Sequence, residues 1–101
     1  MTAIAYTVTA ILPDEPTARA YLEWLEDGHV DAVIEGGAHS AMIVRVEDPP
    51  GQARVEVRYL FSTRDAFERY VRDHAPALRA AGLERFGPMR VRFERTVGRV
   101  I

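Results

Sequence analysis

The sequence contains no cysteine, which excludes disulfides, thiolate nucleophiles and cysteine-held metals. It also lacks lysine: every one of the 13 basic residues is arginine, set against 15 Asp plus Glu for a net charge of −2. That balance offers no broad basic surface to a phosphate backbone, so nucleic acid is not an expected partner. No apolar run approaches the roughly 20 residues that cross a bilayer, and no basic leader precedes the apolar residues at the start. No membrane association is expected, and the chain reads as cytoplasmic. A Ser/His/Asp nucleophile motif, a glycine-rich phosphate loop and an internal repeat are all missing. Gly36-Gly37 reads only as a helix terminator.

What is present suits one globular domain spanning residues 1–101, small enough that dimerisation is a natural way to bury more surface. Hydrophobic residues make up 48% and charged residues 28%, a composition that folds rather than stays disordered. Residues 3–12 alternate as a strand, with Ile4, Tyr6, Val8, Ala10 and Leu12 on the greasier side. Pro13-Asp14-Glu15-Pro16 breaks it and opens a helix from about Glu15 to Ile34, with Asp14 as N-cap and an interruption at Gly28 that either close packing against the sheet or a kink would explain. A second strand is expected over His39–Glu47 and a third over Ala53–Phe61, joined through the turn Asp48-Pro49-Pro50-Gly51. Ser62 or Thr63 caps a second helix, which Pro76 should break near His74-Ala75 before it resumes to about Leu83. A last strand runs from Met89 to Val100. The order β-α-β-β-α-β predicts a ferredoxin-like α+β sandwich with a four-stranded antiparallel sheet. Val55, Val57, Tyr59, Phe61, Val91 and Phe93 are its expected helix-facing residues. The other face should carry Thr7, Thr9, Ile43, Arg45, Glu56, Arg58, Leu60, Arg92 and Glu94, a mixture that suits water or a second copy of the chain.

Two histidines stand on apolar helical stripes. Phe67, Tyr70, Val71, His74 and Leu78 recur at three- and four-residue steps, and Ala18, Tyr21, Leu22 and Leu25 lead by the same step to His29. An inward imidazole needs a buried partner, a pocket or a chemical task.

The segments Trp24-Leu25 with Gly28-His29-Val30, Val57-Arg58-Tyr59-Leu60-Phe61, and Tyr70 to Arg79 with Glu84-Arg85-Phe86 resemble a small uncharacterised bacterial family of the dimeric α/β-barrel superfamily. The resemblance covers nearly the whole chain, and its most specific part is His74-Ala75-Pro76. It implies a homodimer formed sheet to sheet into a barrel. The superfamily spans polyketide cyclases, cofactor-free monooxygenases, lactone isomerases, haem enzymes, stress-response proteins and ligand-sensing domains, so fold settles little about activity. Several of its enzymes work in a cleft between helices and sheet, using histidine and tyrosine without a cofactor.

The functional expectation is a small-molecule pocket for an aromatic or polyketide-like ligand. His74 or His29 would act as general acid-base catalyst, Tyr59, Tyr70 and Tyr6 would bind the substrate, and Trp24 would stack on a ring, with no cofactor and no metal. A metal held by His29, His74 and Glu26 has no ligand spacing behind it, and no motif calls for haem. The competing expectation is a non-catalytic ligand-sensing or structural dimer whose histidines serve packing alone.

Overall fold

The structure, a computed structural model describing residues 2–101, is a ferredoxin-like sandwich with one layer of helices on one face of a four-stranded sheet. Strand β1 (Ile4–Leu12) is followed by α1 (Glu15–Trp24), a π turn (Leu25–His29) and α2 (Val30–Glu35). Strands β2 (Ser40–Arg45) and β3 (Ala53–Phe61) form a hairpin, and α3 (Arg64–Asp73), α4 (Ala75–Phe86), a short 3-10 turn (Gly87–Met89) and β4 (Arg92–Arg99) complete the chain. The sheet order is β2-β3-β1-β4 with every neighbouring pair antiparallel. Among the described residues no helix is long and apolar enough to cross a membrane.

Local chemistry starts α1 and α3. The Asp14 carboxylate accepts from the Thr17 backbone N–H at 2.8 Å, and the Thr63 hydroxyl accepts from Ala66 N–H at 3.0 Å. The Arg45 guanidinium pairs with Glu15 and ties β2 to the start of α1. Alternation in β1 and β3 then sets the core: Ile4, Tyr6, Ala10, Val55, Val57, Tyr59 and Phe61 all lie under the helices, each almost without solvent contact. Fully burying such side chains contributes about 1.5–3 kcal/mol each, which decides the face the helices cover.

Strand β2 corrects the expected faces. Ala41 lies opposite Tyr59, Ile43 opposite Val57 and Arg45 opposite Val55, so Ile43 and Arg45 share the helix side. Met42 and Val44 occupy the outer face beside Arg58 and Glu56. This strand is aliphatic on both faces, so alternation alone could not orient it; the hairpin register does. Val91 is buried as expected but precedes β4 rather than belonging to it. Across the outer face, cross-strand rows place Met42, Arg58, Thr7 and Thr96 side by side, then Val44, Glu56, Thr9 and Glu94.

Pro76 breaks the second helix where expected, and the break moves His74. The residue leaves helical geometry (φ −122°, ψ −40°), closes α3 through an N–H donated to Tyr70 and opens α4. Its ring is exposed beside Tyr70 and Gly36, while Ala75 takes the buried place in the stripe. The expected inward orientation of His74 is therefore corrected: a three-and-four pattern read straight through a proline loses phase at the break. A Cβ on Gly36 would lie 3.0 Å from both Tyr70 Cδ1 and His74 Cγ, and the buried Tyr70 has little room to yield. Gly36→Ala is expected to destabilise the fold by about 1–3 kcal/mol, the usual range for overpacking, read as a lower urea midpoint. An unchanged midpoint would mean that the α3–α4 junction does not rest on the end of α2.

Candidate functional site

A half-open cleft lies between α1, the π turn, α4 and the sheet, walled by Tyr6, Tyr21, Trp24, His29, Tyr59 and Tyr70 with Arg79, Arg95 and apolar neighbours. Including its mouth the space measures about 400 Å³, of which about 30 Å³ is free to the centres of water molecules, room for two or so waters. Leu83 at the rim is 62% exposed and Arg79 is exposed as well.

The π turn builds one wall. In a regular helix residues 24 and 29 stand five steps and roughly 140° apart around the axis, and their rings do not meet. Here Asp27 (φ −89°, ψ 39°) and Gly28 (φ 115°) widen the turn, and Val30 N–H donates back to the Leu25 carbonyl, five residues earlier. A φ of this sign is open to glycine at little cost, so the chain kinks here between α1 and α2. The outcome is that His29 stacks on Trp24, ring centroids 4.0 Å apart and planes 22° apart. The stripe therefore delivers His29 inward through a five-residue step from Trp24, not the four-residue step from Leu25. Burial first, and the positive field of Arg95 second, lower the His29 pKa to about 4. At neutral pH the imidazole carries no charge and offers one lone pair.

The second wall is phenolic. Tyr6 stacks on Tyr59 at 5.9 Å and meets Tyr70 at 6.0 Å, while Tyr21 stacks on Trp24 at 5.9 Å. Burial raises the pKa of Tyr21 and Tyr59, and that of Tyr70 to about 12, so all three hydroxyls stay protonated. The Tyr6 hydroxyl accepts from the Arg79 guanidinium at 3.4 Å. Among the described residues no buried side-chain nitrogen or oxygen is shut away without a partner, and the other hydroxyls reach the cleft.

Of the residues singled out in the sequence, His29, Trp24, Tyr6, Tyr59 and Tyr70 come together at this cleft, and His74 does not. Tyr21, Phe93, Arg79 and Arg95 join them unforeseen. Arg95 had a visible signal, because it follows Phe93 by two on the inward side of β4, where an arginine is out of place. Among the described residues no three His, Asp or Glu side chains gather in a metal-binding group. Glu26 is exposed, and His29 and His74 sit in separate surroundings.

Solved structures of known proteins share this architecture. A dimeric ferredoxin-like protein from an uncultured marine organism superposes with a TM-score of 0.72 at 17% identity, covering 100% of this chain and 97% of that one. A protein of the ethyl tert-butyl ether (EthD) family from Bacillus halodurans gives 0.70 at 12% identity and covers 100% of both chains. SnoaB, a cofactor-independent oxygenase from Streptomyces nogalater, gives 0.68 at 15% identity over 100% of this chain and 95% of that one. At such identities the likeness establishes the fold. No curated protein matches by sequence. The family itself is shown by a match over residues 3–100, and the chain belongs to the family described as Domain of unknown function (DUF4286).

Proposed function

We propose that the protein is a homodimer, paired through the outer sheet face, that binds an aromatic or polyketide-like small molecule in the tyrosine-lined cleft and transforms it without a cofactor, with His29 as the acid-base group. The observation that carries this is the cleft itself: a neutral imidazole stacked on the chain's one tryptophan, facing protonated phenols across a space that opens to solvent. Aromatic walls favour a flat ligand, and phenol O–H groups orient an oxygen on it. The SnoaB likeness supports oxygenase chemistry of this kind as one form the activity takes.

The low His29 pKa limits the substrate. A base whose conjugate acid has a pKa of about 4 takes a proton from an ordinary phenol, of pKa near 10, against roughly 8 kcal/mol. The favoured substrate is thus acidic in its own right, or its anion is stabilised by the cleft as the proton moves. For an anthrone, loss of a proton from the ring CH₂ leaves a carbanion that reacts with dioxygen. The CH₂ becomes C=O, and dioxygen supplies that oxygen and leaves its other atom in water.

A binding-only role is the second reading, favoured by the narrow free space and by tyrosines held far from ionisation. The two separate on one assay. With dithranol, an autoxidisable anthrone, as probe, His29→Gln is expected to lower the protein-dependent rate about 100-fold or more, and His74→Gln to leave it unchanged. Equal rates for wild type and His29→Gln would remove the catalytic role and leave ligand binding.

The lowered pKa also has a stability consequence whose sign is fixed. The folded value lies below the ordinary histidine value of 6.5, so folding favours neutral imidazole. That contribution is present above pH 6.5 and is lost as pH falls toward 4. Wild type should lose more stability than His29→Gln between pH 7 and 4.5 in urea unfolding, and an NMR titration should place the His29 midpoint near 4. A midpoint near 6.5 would contradict the burial of this ring.

The homodimer is tested on the same face that would form it. Thr7 lies mid-strand between Arg58 and Thr96 on the outer side. An added unpaired charge there costs about 3–5 kcal/mol when buried, so Thr7→Arg should turn a native-mass-spectrometry dimer into a monomer at micromolar concentration. A persisting dimer would place the interface elsewhere.

A further inference from the structure

We propose that the cleft selects an aromatic oxyanion, with the anionic oxygens held by Arg79 and Arg95 and the ring among the cleft's aromatic side chains. The inference rests on the reading of the cleft as the ligand site and names the class of ligand it takes. Three observations carry it.

First, the cleft wall is one-signed. Arg79 and Arg95 both line it, and no aspartate or glutamate does, although acidic residues outnumber basic ones 15 to 13 in the chain. Second, neither guanidinium is neutralised within the protein. The ion pairs among the described residues are Arg45–Glu15, Arg58–Glu56 and Arg72–Asp73. Arg79 meets only the neutral Tyr6 hydroxyl, at the long distance of 3.4 Å, and Arg95 lies over the Phe93 ring, 5.9 Å from its centroid. Third, the two charged groups lining the space can only donate: guanidinium N–H groups have no acceptor capacity, and the protonated phenol O–H groups around them can turn to donate alongside. A ligand rich in acceptors and carrying negative charge satisfies such a site, because charge-assisted hydrogen bonds are roughly twice as strong as neutral ones. A neutral or cationic ligand would leave both guanidinium groups without a counter-charge.

The geometry also joins recognition to chemistry. Arg95 stands midway along the edge strand β4, opposite Val8, and its field reaches His29, Tyr21 and Tyr70. An oxyanion at this position offsets the Arg95 field, the smaller of the two causes that depress His29 basicity.

The test uses the chain's one tryptophan as reporter. Binding of 2-naphthoate and of its neutral isostere 2-naphthamide is followed through the Trp24 indole N–H resonance at low ionic strength, in wild type, in Arg79→Gln/Arg95→Gln and in Arg64→Gln/Arg69→Gln. The last variant removes the same charge from exposed sites on α3, outside the cleft. Wild type and the α3 variant are expected to bind naphthoate about tenfold or more tightly than naphthamide. In the cleft variant the preference should fall to about threefold or less, with naphthamide affinity unchanged. Equal affinities in wild type, or a preference that survives in the cleft variant, would overturn anion selection while leaving the cleft as a binding site. No response of the Trp24 resonance to either probe would overturn the ligand-site reading and this inference with it. The single variants Arg79→Gln and Arg95→Gln repeat the comparison where the double variant unfolds, and each should lose part of the preference.

Discussion

The stack of His29 on Trp24, with centroids 4.0 Å apart, is the contact on which the cleft depends. It exists because one turn of the first helical segment is widened at Asp27-Gly28. Without that widening the imidazole would point off the face that Trp24 covers. With it, one wall of the cleft becomes a continuous surface of Tyr21, Trp24 and His29, and α4 packs onto that surface where Gly82 approaches the Trp24 ring. The same position places the imidazole in partial burial near Arg95, which keeps it neutral. Local backbone geometry, ring packing and protonation state follow from a single irregular turn.

Opposite it, the sheet contributes through strict alternation. Tyr6 and Tyr59 are cross-strand partners on adjacent strands, so their rings stack on the helix side, and Val97 and Ala41 extend the same row. One row beyond, Ile43, Val57, Val8 and Arg95 continue it. An arginine in that otherwise apolar row is tolerated because β4 is an edge strand whose inner side is only partly covered, with Val97 49% exposed. The position that lets Arg95 keep its charge in water is also the one that brings it to the cleft.

Much of this was legible in the sequence, for reasons that differ by element. Strand β3 was readable over its full length because Val55, Val57, Tyr59 and Phe61 alternate with polar residues. The helix break at His74 followed from Pro76 and the cap at Asp14 from its side-chain chemistry, while of Ser62 and Thr63 the structure selects Thr63. Strand β2 misled because Ala41, Met42, Ile43 and Val44 are apolar on both faces, leaving orientation to a register that only tertiary pairing sets. His74 misled because a proline resets helical phase. His29 reached the cleft for a reason that periodicity does not encode: Gly28 signalled close packing or a kink, but not that the kink would turn His29 onto Trp24. Arg79 and Arg95 escaped notice because an arginine is ordinarily a surface residue, and their convergence is a property of two elements far apart in the chain.

The central claim, that the cleft between helices and sheet is where this protein binds a ligand, is tested most directly by recording amide and side-chain chemical shifts while aromatic fragments are titrated in. Shifts concentrated on the Trp24 indole, the His29 ring and the backbone around Gly82 are expected. Shifts confined to the outer sheet face, or to the α3–α4 junction around His74, would contradict it.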